Sequence, residues 1–357
     1  MTFVSRSAAL VCAAAAIASL AACGGGGSKP SSSSSGTPSG TSSTSASSST
    51  SPVAADTPKN PYTGVGPVPK TPTIAVKIDD TAPGRPQVGI DQADIVYVEA
   101  VEGGLTRLAA VFGTNKPKEV GYVRSTRPSD PDLLLQYGKI TEAYSGGAHD
   151  SLPRLYASGI KSWSDDSGAA YYSRINRPES SYINLALNLR QVAAHIKTAK
   201  PKSIGWTFSD SLAGLGTLGK GTDVRTTVTG SYQLPAGTRV EFRWDAKLKK
   251  YVRYIGGVRQ VASGGQPVET TNVVVQSCKV VSHPQDTDVN GNPSQFTYTV
   301  GSGPVSIFRN GKRINGTWSR AKLDAGTVFK TASGKVIPLA PGNTWVVLIR
   351  KGVPVSG

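Results

Sequence analysis

The stretch ADIVYVEAVEGGLTRLAAVF, residues 93–112, decides the fold. Two apolar runs stand on either side of the tight turn Glu102-Gly103-Gly104. Apolar runs of this length that are rich in Val, Ile and Tyr and bounded by glycine predict β-strands, here at residues 93–101 and 106–112. Further strands are predicted at 73–78, 119–123 and 140–144, and helices at 133–137, 151–157 and 181–197. Residues 61–202 are therefore predicted to form an α+β domain.

The pattern changes after residue 203 to short apolar runs with period-two alternation, separated by turn residues. Asn310-Gly311 separates two such runs, which is a strong signal for a β-hairpin. Strands are predicted at 239–244, 251–255, 272–281, 296–300, 305–309, 313–318 and 345–349. The predicted fold class is α+β, with an N-terminal α+β domain at 61–202 and a mainly β region at 203–357.

The N-terminus predicts export. Arg6 precedes an apolar run over residues 8–20, which is shorter than the roughly 20 residues that span a bilayer, so residues 1–22 are predicted to be a signal peptide. Leu20-Ala21-Ala22-Cys23 resembles the bacterial lipobox. The resemblance implies cleavage before Cys23 and a diacylglyceryl group on its sulfur, with acyl chains such as palmitate. The alternative is an ordinary signal peptide in which Cys23 is incidental.

Residues 23–60 are rich in Gly, Ser, Thr and Pro and have almost no large apolar side chain. Such a segment cannot bury enough surface to fold, so a disordered linker is predicted. We therefore expect a lipid-anchored protein of the cell membrane that faces the extracytoplasmic side. The formal net charge of +16 favours anionic wall polymers or lipid headgroups as partners, because a secreted, tethered protein rarely meets nucleic acid.

Charged residues cluster where the predicted N-terminal strands end, often beside glycine turns. Arginine pairs in such a place present forks that match phosphate or carboxylate, and a Gly-Gly step before a helix adds backbone N–H groups. This pattern fits either a structural Arg–carboxylate network or an anion site, and both interpretations stay open. The candidate site residues are Asp79, Arg85, Gln87, Glu99, Glu102, Thr106, Arg107, Arg124, Ser125, Arg127, Gly146, Gly147 and His149.

No metal site or cofactor is predicted. The three histidines are far apart in the sequence and form no metal-ligand spacing. Residues 214–219 fit the pattern GxGxxG, but no strand–turn–helix unit surrounds them. Cys278 lies in the apolar run 272–281 and is predicted to be a buried strand residue.

Several spaced motifs resemble the DUF3048 proteins, also called YerB-like lipoproteins. They are IAVKID at 74–79 with APGRPQ at 82–87, ADIVY at 93–97, VEGGLTR at 101–107, GYVRSTRP at 121–128 and YSGG at 144–147. The resemblance implies an N-terminal α+β domain, a C-terminal β domain at about 235–352 and lipid anchoring, and it supplies no activity. Family members often carry Ala-Pro-His-Asn ahead of the central helix. Residues 177–182 read RPESSY instead, so a function that needs that histidine is not carried over.

The first functional hypothesis is a non-enzymatic module that binds an anionic envelope ligand or an envelope protein. The order of motifs also resembles the LytR–CpsA–Psr wall-polymer ligases. By that likeness the protein would be a transferase or hydrolase acting on a polyprenyl-phosphate-linked precursor, with Arg124 and Arg127 facing the pyrophosphate. A third hypothesis places polymer contacts on a basic hairpin at 309–320, through Lys312 and Arg313.

Overall fold

A computed structural model describes residues 59–197, 201–228 and 239–357. The predicted signal peptide, Cys23 and nearly all of the predicted linker lie outside these residues. The described chain contains helices α1 (Asp130–Leu134), α2 (Ser151–Ala157) and α3 (Leu189–His195). Its N-terminal strands are β1 (Ile74–Asp79), β2 (Ile95–Ala100), β3 (Thr106–Phe112), β4 (Val120–Gly121), β5 (Thr141–Tyr144), β6 (Lys161–Ser164), β7 (Tyr172–Arg174) and β8 (Leu185–Leu187).

Thirteen further strands follow in the described C-terminal part. They are β9 (Gly219–Lys220), β10 (Asp223–Thr227), β11 (Arg239–Asp245), β12 (Lys250–Ile255), β13 (Val258–Arg259), β14 (Glu269–Thr270), β15 (Asn272–Cys278), β16 (Val280–Thr287), β17 (Pro293–Thr297), β18 (Gly301–Arg309), β19 (Lys312–Arg320), β20 (Val328–Lys330) and β21 (Thr344–Arg350). Few helices and many strands confirm the predicted α+β class.

One large sheet combines strands from both halves of the sequence. Its order is β20-β19-β18-β15-β21-β2-β3-β1-β5-β6, and β9 pairs with β19. Strand β21 lies parallel to both β15 and β2, so it joins the strands of the N-terminal region to those of the C-terminal region. The hydrogen-bonded frame therefore crosses the predicted boundary at residues 202/203.

The centre of this sheet is buried on both faces. Every residue of β1, β2 and β3 is buried, and alternate side chains enter two separate hydrophobic clusters. On one face, the small sheet β10–β14 packs through Phe242, whose ring meets Trp345 edge-on at a centroid distance of 5.5 Å. On the other face, Leu133 of α1 and Leu155 of α2 pack with Tyr97 of β2.

The hairpin predicted at Asn310-Gly311 is confirmed. Asn310 and Gly311 join β18 to β19 with φ angles of 52° and 68°. Both values lie in the left-handed region that a two-residue hairpin turn requires, which explains the Asn-Gly pair. Cys278 is buried as predicted, and burial raises the pKa of its thiol to about 12.

The helix predicted at 181–197 is wrong over its first half. Residues 185–187 form β8, which pairs with β4 and β7, and α3 begins only at Leu189. The apolar residues at 183, 185, 187 and 189 alternate with period two, which is the spacing of a strand. The Asn188 side chain accepts a hydrogen bond from the Gln191 backbone N–H and caps α3. The strand predicted at 272–281 is also divided, because β15 ends at Cys278 and β16 begins at Val280.

The chain enters the described fold at one end of the large sheet. Lys59 forms a β-bridge with Pro67, and Asn60 donates a hydrogen bond to the Thr114 hydroxyl at 2.7 Å. Thr114 follows the end of β3 that pairs with the start of β1. In the described residues, no helix combines the length and the apolar character that crossing a membrane requires.

Because β21 links the two halves of the large sheet, we expect Trp345→Ala to destabilise both together. Trp345 is 2% exposed, and truncation of a buried Trp costs about 3–5 kcal/mol. When urea unfolding is monitored by amide hydrogen exchange, β1–β3 and β18–β19 should lose protection from exchange in one transition. Val289→Ala, at a fully exposed side chain, is the control and should leave stability unchanged. Loss of protection in β18–β19 alone would contradict this coupling.

Candidate functional site

Charged side chains meet at the end of the large sheet where β1 and β2 finish and β3 begins. We call this region the charged rim. It comprises Lys77, Asp79, Glu99, Glu102, Arg107, Arg124, Ser125, Thr126, Arg127, Asp130 and Glu142. All of these except Arg124 and Ser125 are buried, so each charge needs a partner from the protein or from a ligand.

Lys77 lies at the centre of the rim and is fully buried. Its ammonium group contacts Glu99 of β2 and the Oδ1 atom of Asp130 in α1, the latter at 2.7 Å. The Oδ2 atom of Asp130 accepts from the Arg127 backbone N–H at 2.6 Å and from the Thr126 hydroxyl at 3.0 Å. Burial lowers the pKa of Lys77, and the neighbouring Asp130 and Glu142 oppose this shift. Asp130 thus joins α1 to β1 and to the segment before the helix.

Glu142 of β5 is a fully buried acid beside Asp130. Burial and the charge of Asp130 raise its pKa well above the usual range, although Lys77 acts in the opposite direction. The protonated carboxyl is therefore the form that the fold stabilises.

Arg127 has both arms of its guanidinium engaged. Its Nε and Nη2 atoms lie 2.6 Å from the two carboxylate oxygens of Glu102, and Nη1 donates to the Thr126 carbonyl at 2.9 Å. Glu102 also accepts from the hydroxyl of Ser294 in β17. Burial alone would raise the pKa of Glu102, but Arg127 and Ser294 outweigh it and lower the pKa. This pair is a satisfied, structural ion pair.

Arg107 differs from its neighbours because it has no ion pair with any described residue. Its register places it opposite Asp79 on β1 and Glu99 on β2, but those carboxylates pair with Arg124 and Lys77. Arg107 is 4% exposed, its Nη1 donates to the Ser125 carbonyl at 3.4 Å, and its Nε has no hydrogen-bond partner. Burial and the nearby Arg127 and Arg124 lower its pKa to about 9, so it is still charged at neutral pH.

Arg124 and Ser125 form the accessible side of the rim. The Arg124 side chain is 37% exposed, and its Nε lies 3.2 Å from the Oδ2 atom of Asp79. The other oxygen of Asp79 accepts from the Thr81 backbone N–H at 2.7 Å. A Cβ at Gly84 would lie 2.2 Å from that same oxygen, so only glycine allows the backbone to close over Asp79.

A second buried pair lies next to the rim, on the side of the small sheet. The Nη2 atom of Arg253 in β12 lies 2.8 Å from both carboxylate oxygens of Asp80. Thr106 donates to Asp80 at 2.7 Å, and the Gln87 amide donates to the Asp79 carbonyl at 3.0 Å. Arg85 donates from Nε to the Thr81 carbonyl at 3.0 Å. Arg253 therefore ties the C-terminal β region to the end of β1.

Two family models match the chain. They are described as "Protein of unknown function (DUF3048)" N-terminal domain, over residues 62–202, and DUF3048 C-terminal domain, over residues 230–346. Together they cover most of the sequence, including the motifs that build the charged rim.

The chain belongs to the DUF3048 family.

Comparison with individual proteins agrees with this. The DUF3048 protein is 26% identical over 281 residues to a Bacillus subtilis (strain 168) protein named "Putative lipoprotein YerB", a match covering 77% of this chain and 80% of that one. The crystal structure of YerB from Bacillus subtilis superposes with a TM-score of 0.69 at 22% identity, covering 84% of this chain and 99% of that chain. This likeness shows a common fold.

Most of the candidate site residues come together in the DUF3048 fold. Asp79, Glu99, Glu102, Thr106, Arg107, Arg124, Ser125 and Arg127 lie at or beside the charged rim, and Arg85 and Gln87 lie next to the Asp80 pair. Gly146 and Gly147 adjoin it, because the Gly146 carbonyl accepts from the Thr126 N–H. His149 does not join them, since its side chain is 87% exposed and its polar contact among the described residues is with the neighbouring Asp150.

The N-terminus of α2 already has an anion from the protein. The Asp286 carboxylate accepts from the Asp150 backbone N–H at 3.0 Å and from the Ser151 hydroxyl at 2.8 Å. Asp286 is fully buried in β16, and no sequence signal links it to a helix 136 residues earlier. The Asp150 backbone donor and the Ser151 hydroxyl at this helix start are thus used within the fold.

Four important residues were not among the candidates: Asp130, Glu142, Arg253 and Ser294. A charge inside an apolar strand was the available signal for two of them, in TEAY at 141–144 and in KYVRYI at 250–255. Asp130 lies between the strand predicted at 119–123 and the helix predicted at 133–137, where no local pattern marks it. Ser294 lies in a polar stretch and gave no signal.

The raised pKa of Glu142 predicts a pH-dependent effect of Glu142→Gln. Because the fold stabilises the protonated acid, its stabilising contribution is present below the unfolded pKa near 4.5 and is lost as the pH rises through the raised folded value. The amide keeps the shape and can donate to Asp130. We expect the variant to unfold at higher urea concentration than the wild type at pH 7, with the gap shrinking towards pH 5.

Glu102→Gln is the matched control for this measurement. Its carboxylate is stabilised by Arg127, and its pKa is lowered, so the amide should destabilise the fold at pH 7. A gap between Glu142→Gln and the wild type that does not change with pH would show that Glu142 is ionised in the folded protein.

Proposed function

We propose that this DUF3048 protein is a lipoprotein of the bacterial cell envelope. The lipobox-like sequence before Cys23 and the name of the Bacillus subtilis relative support this proposal. Cys23 would carry the diacylglyceryl anchor, and the Gly/Ser-rich stretch would connect it to the fold on the extracytoplasmic side. Stable anchoring needs more than one acyl chain, which a diacylglyceryl group with its two chains provides.

The folded part is proposed to bind an anionic group at the charged rim, without making or breaking a covalent bond. The observation that carries this proposal is Arg107, a buried guanidinium that has no ion pair among the described residues and makes one long hydrogen bond there, of 3.4 Å to the Ser125 carbonyl. A buried charge is normally paired, because burial of an unpaired charge is unfavourable in free energy. An anionic ligand that paired with Arg107 would remove part of this unfavourable free energy.

Arg124 would make the first contact with the ligand. It is the most exposed cation of the rim, and its single ion pair with Asp79 is partly open to solvent. Ser125 stands beside it and is partly exposed. Arg127 would not contact the ligand directly, since its guanidinium group already pairs with the Glu102 carboxylate. Phosphate and carboxylate groups both match such guanidinium donors.

A binding role is favoured over a transferase role by the same contacts. The likeness to wall-polymer ligases needs Arg124 and Arg127 to face a pyrophosphate together. Arg127 instead directs Nε and Nη2 to Glu102 at 2.6 Å. In the described residues, no group of His, Cys, Asp and Glu side chains has the arrangement of a metal site.

The anion site is tested with Arg107→Met and Arg124→Gln in the full chain, solubilised in detergent and titrated calorimetrically with pyrophosphate. We expect Arg124→Gln to bind at least about tenfold more weakly, because a charge-assisted contact is lost. Arg107→Met should lose binding and unfold at the same or a higher temperature than the wild type, since it removes a buried charge at the loss of one 3.4 Å hydrogen bond and no ion pair with a described residue.

Arg154→Gln is the control, because Arg154 is a partly exposed arginine paired with Asp132 outside the rim. Its affinity for pyrophosphate should equal that of the wild type. If Arg107→Met lowers the unfolding temperature strongly, or if the wild type does not bind pyrophosphate, the rim is a structural network and the binding proposal is wrong.

Anchoring is tested by expressing the full chain in a bacterium that is fed a labelled palmitate analogue. Cys23→Ala should lose both the label and membrane fractionation. Cys278→Ala should retain both, because the Cys278 thiol is buried in β15 and unavailable for acylation. Label on the Cys23→Ala variant would contradict the assigned anchor position.

A further inference from the structure

Glu142 lies on the same face of the large sheet as the buried cations of the charged rim. The parallel pairing of β1 with β5 places Glu142 opposite Ala75, two residues before Lys77. The antiparallel pairing of β1 with β3 places Asp79 opposite Arg107. Because cross-strand partners and alternate residues of a strand share a face, Glu142, Lys77 and Arg107 all point to the face on which α1 packs. The acid and the two cations therefore belong to one buried cluster.

The Glu142 carboxyl is surrounded by groups from the neighbouring elements. They are Lys77 of β1, Asp130 of α1, Thr126 of the segment before α1, Tyr144 of β5 itself, Ser162 opposite it on β6 and, one contact further away, Glu99 of β2 and Arg107 of β3. Glu142 and Arg107 both act on the Lys77 ammonium, and their effects on its pKa have opposite sign. A change in the charge of Glu142 therefore changes the electrostatic potential in the cluster that contains Arg107.

The charged rim has one more acid than it has cations. Its cations are Lys77, Arg107, Arg124 and Arg127, and its acids are Asp79, Glu99, Glu102, Asp130 and Glu142. Each of the first four acids has a cation within 3.2 Å, whereas Glu142 forms no ion pair with a described residue. Because an uncompensated charge is unfavourable inside a protein, Glu142 is the acid that is neutral in the most stable state.

Loss of the Glu142 proton changes the charge that an anion meets at the rim. With Glu142 neutral the rim has no net charge, and ionisation of Glu142 makes it negative. The added charge is buried on the same face as Arg107, where solvent and salt screen it poorly. An anion that approached Arg107 would then be repelled, although Arg107 itself is still charged because its lowered pKa is about 9.

We propose that the protonation of Glu142 controls anion binding at the charged rim, which binds an anion tightly when Glu142 is neutral and more weakly when Glu142 is ionised. This inference rests on the anion site proposed above at Arg107 and Arg124. Because linkage is reciprocal, a bound anion favours the protonated acid, and binding takes up a proton where Glu142 is partly ionised. The direction follows from the raised pKa of Glu142, since the neutral form is populated below the raised value and lost above it.

The coupling is tested with the symmetrical dimethyl diester of pyrophosphate, whose two negative charges do not change between pH 6 and pH 8.5. Titration calorimetry with the full chain in detergent gives the affinity at each pH. Repeating it in buffers of different ionisation enthalpy gives the number of protons taken up on binding. We expect the wild type to bind the diester at least about tenfold more weakly at pH 8.5 than at pH 6, with proton uptake on binding, as is typical of coupled sites.

Glu142→Gln is the test variant, because the amide resembles the neutral acid and has no proton to lose in this range. Its affinity for the diester should change by less than about twofold between pH 6 and pH 8.5, since Arg107 is still mostly charged at the higher pH. Binding should take up no proton. Glu119→Gln is the matched control, because Glu119 is an exposed acid outside the rim, and it should keep the wild-type pH dependence.

Histidine side chains commonly change charge in this pH range, and His149 and His283 both lie beside Asp150. The double variant His149→Gln with His283→Gln should keep the wild-type pH dependence. If it loses that dependence, or if Glu142→Gln keeps it, the inference is wrong. A wild type that binds the diester with constant affinity and no proton uptake would also contradict the inference but would leave the anion site in place. A wild type that binds the diester at neither pH would contradict the proposed function itself, and this inference with it.

Discussion

The ammonium group of Lys77 is the constraint on which the N-terminal half of the structure depends. A buried cation without partners is too costly for a fold to retain, so Glu99 and Asp130 must both reach it. That requirement brings the end of β2 and the start of α1 to the same point on β1. Asp130 then holds the segment before α1 through the Arg127 N–H, which sets where Arg124 and Arg127 emerge from the sheet.

The distribution of partners within the rim explains why Arg107 stands apart. Lys77 uses Glu99, Arg124 uses Asp79, and Arg127 uses Glu102. With Glu142 protonated, the rim contains equal numbers of cations and carboxylates, so its net charge is zero. The ion pairs are nevertheless unevenly distributed, because Lys77 contacts two carboxylates and Arg107 pairs with none of the described residues. Arg309 and Arg320 are also buried without an ion pair among the described residues, but each donates to two backbone carbonyls. Arg107 makes a single contact of 3.4 Å with the Ser125 carbonyl, and the proposed anion site rests on this incomplete pairing.

Local structure could be predicted from the sequence wherever a single segment carried the signal. The strands around Glu102-Gly103-Gly104, helix α2 and the Asn310-Gly311 turn follow from periodicity and turn chemistry within a few residues. The region 181–197 failed because its period-two and helical spacings overlap, and pairing with β4 and β7 decided between them. The shared sheet could not be predicted, because β21 joins β2 across a separation of about 250 residues that no local pattern encodes.

The candidate site, like the fold, could be predicted from the sequence only where local segments carry a signal. Strand ends and glycine turns located most of the rim, including Arg107 and Arg124. The identity of each ion pair was not accessible, because Asp130, Glu142 and Arg253 reach the rim from elements whose placement depends on the tertiary fold. His149 is exposed beside a helix start whose donors bond to Asp286, a residue that comes from a distant strand and that no local pattern links to this helix.

The point where the chain enters the fold has a consequence for access. Lys59 and Asn60 lie by Thr114, at the end of the large sheet opposite the charged rim, and the six residues of β1 advance about 20 Å between these ends. On the proposed anchoring, the tether is therefore attached about one strand length from the rim. A ligand bound at the rim would not contact the point where the tether joins the fold.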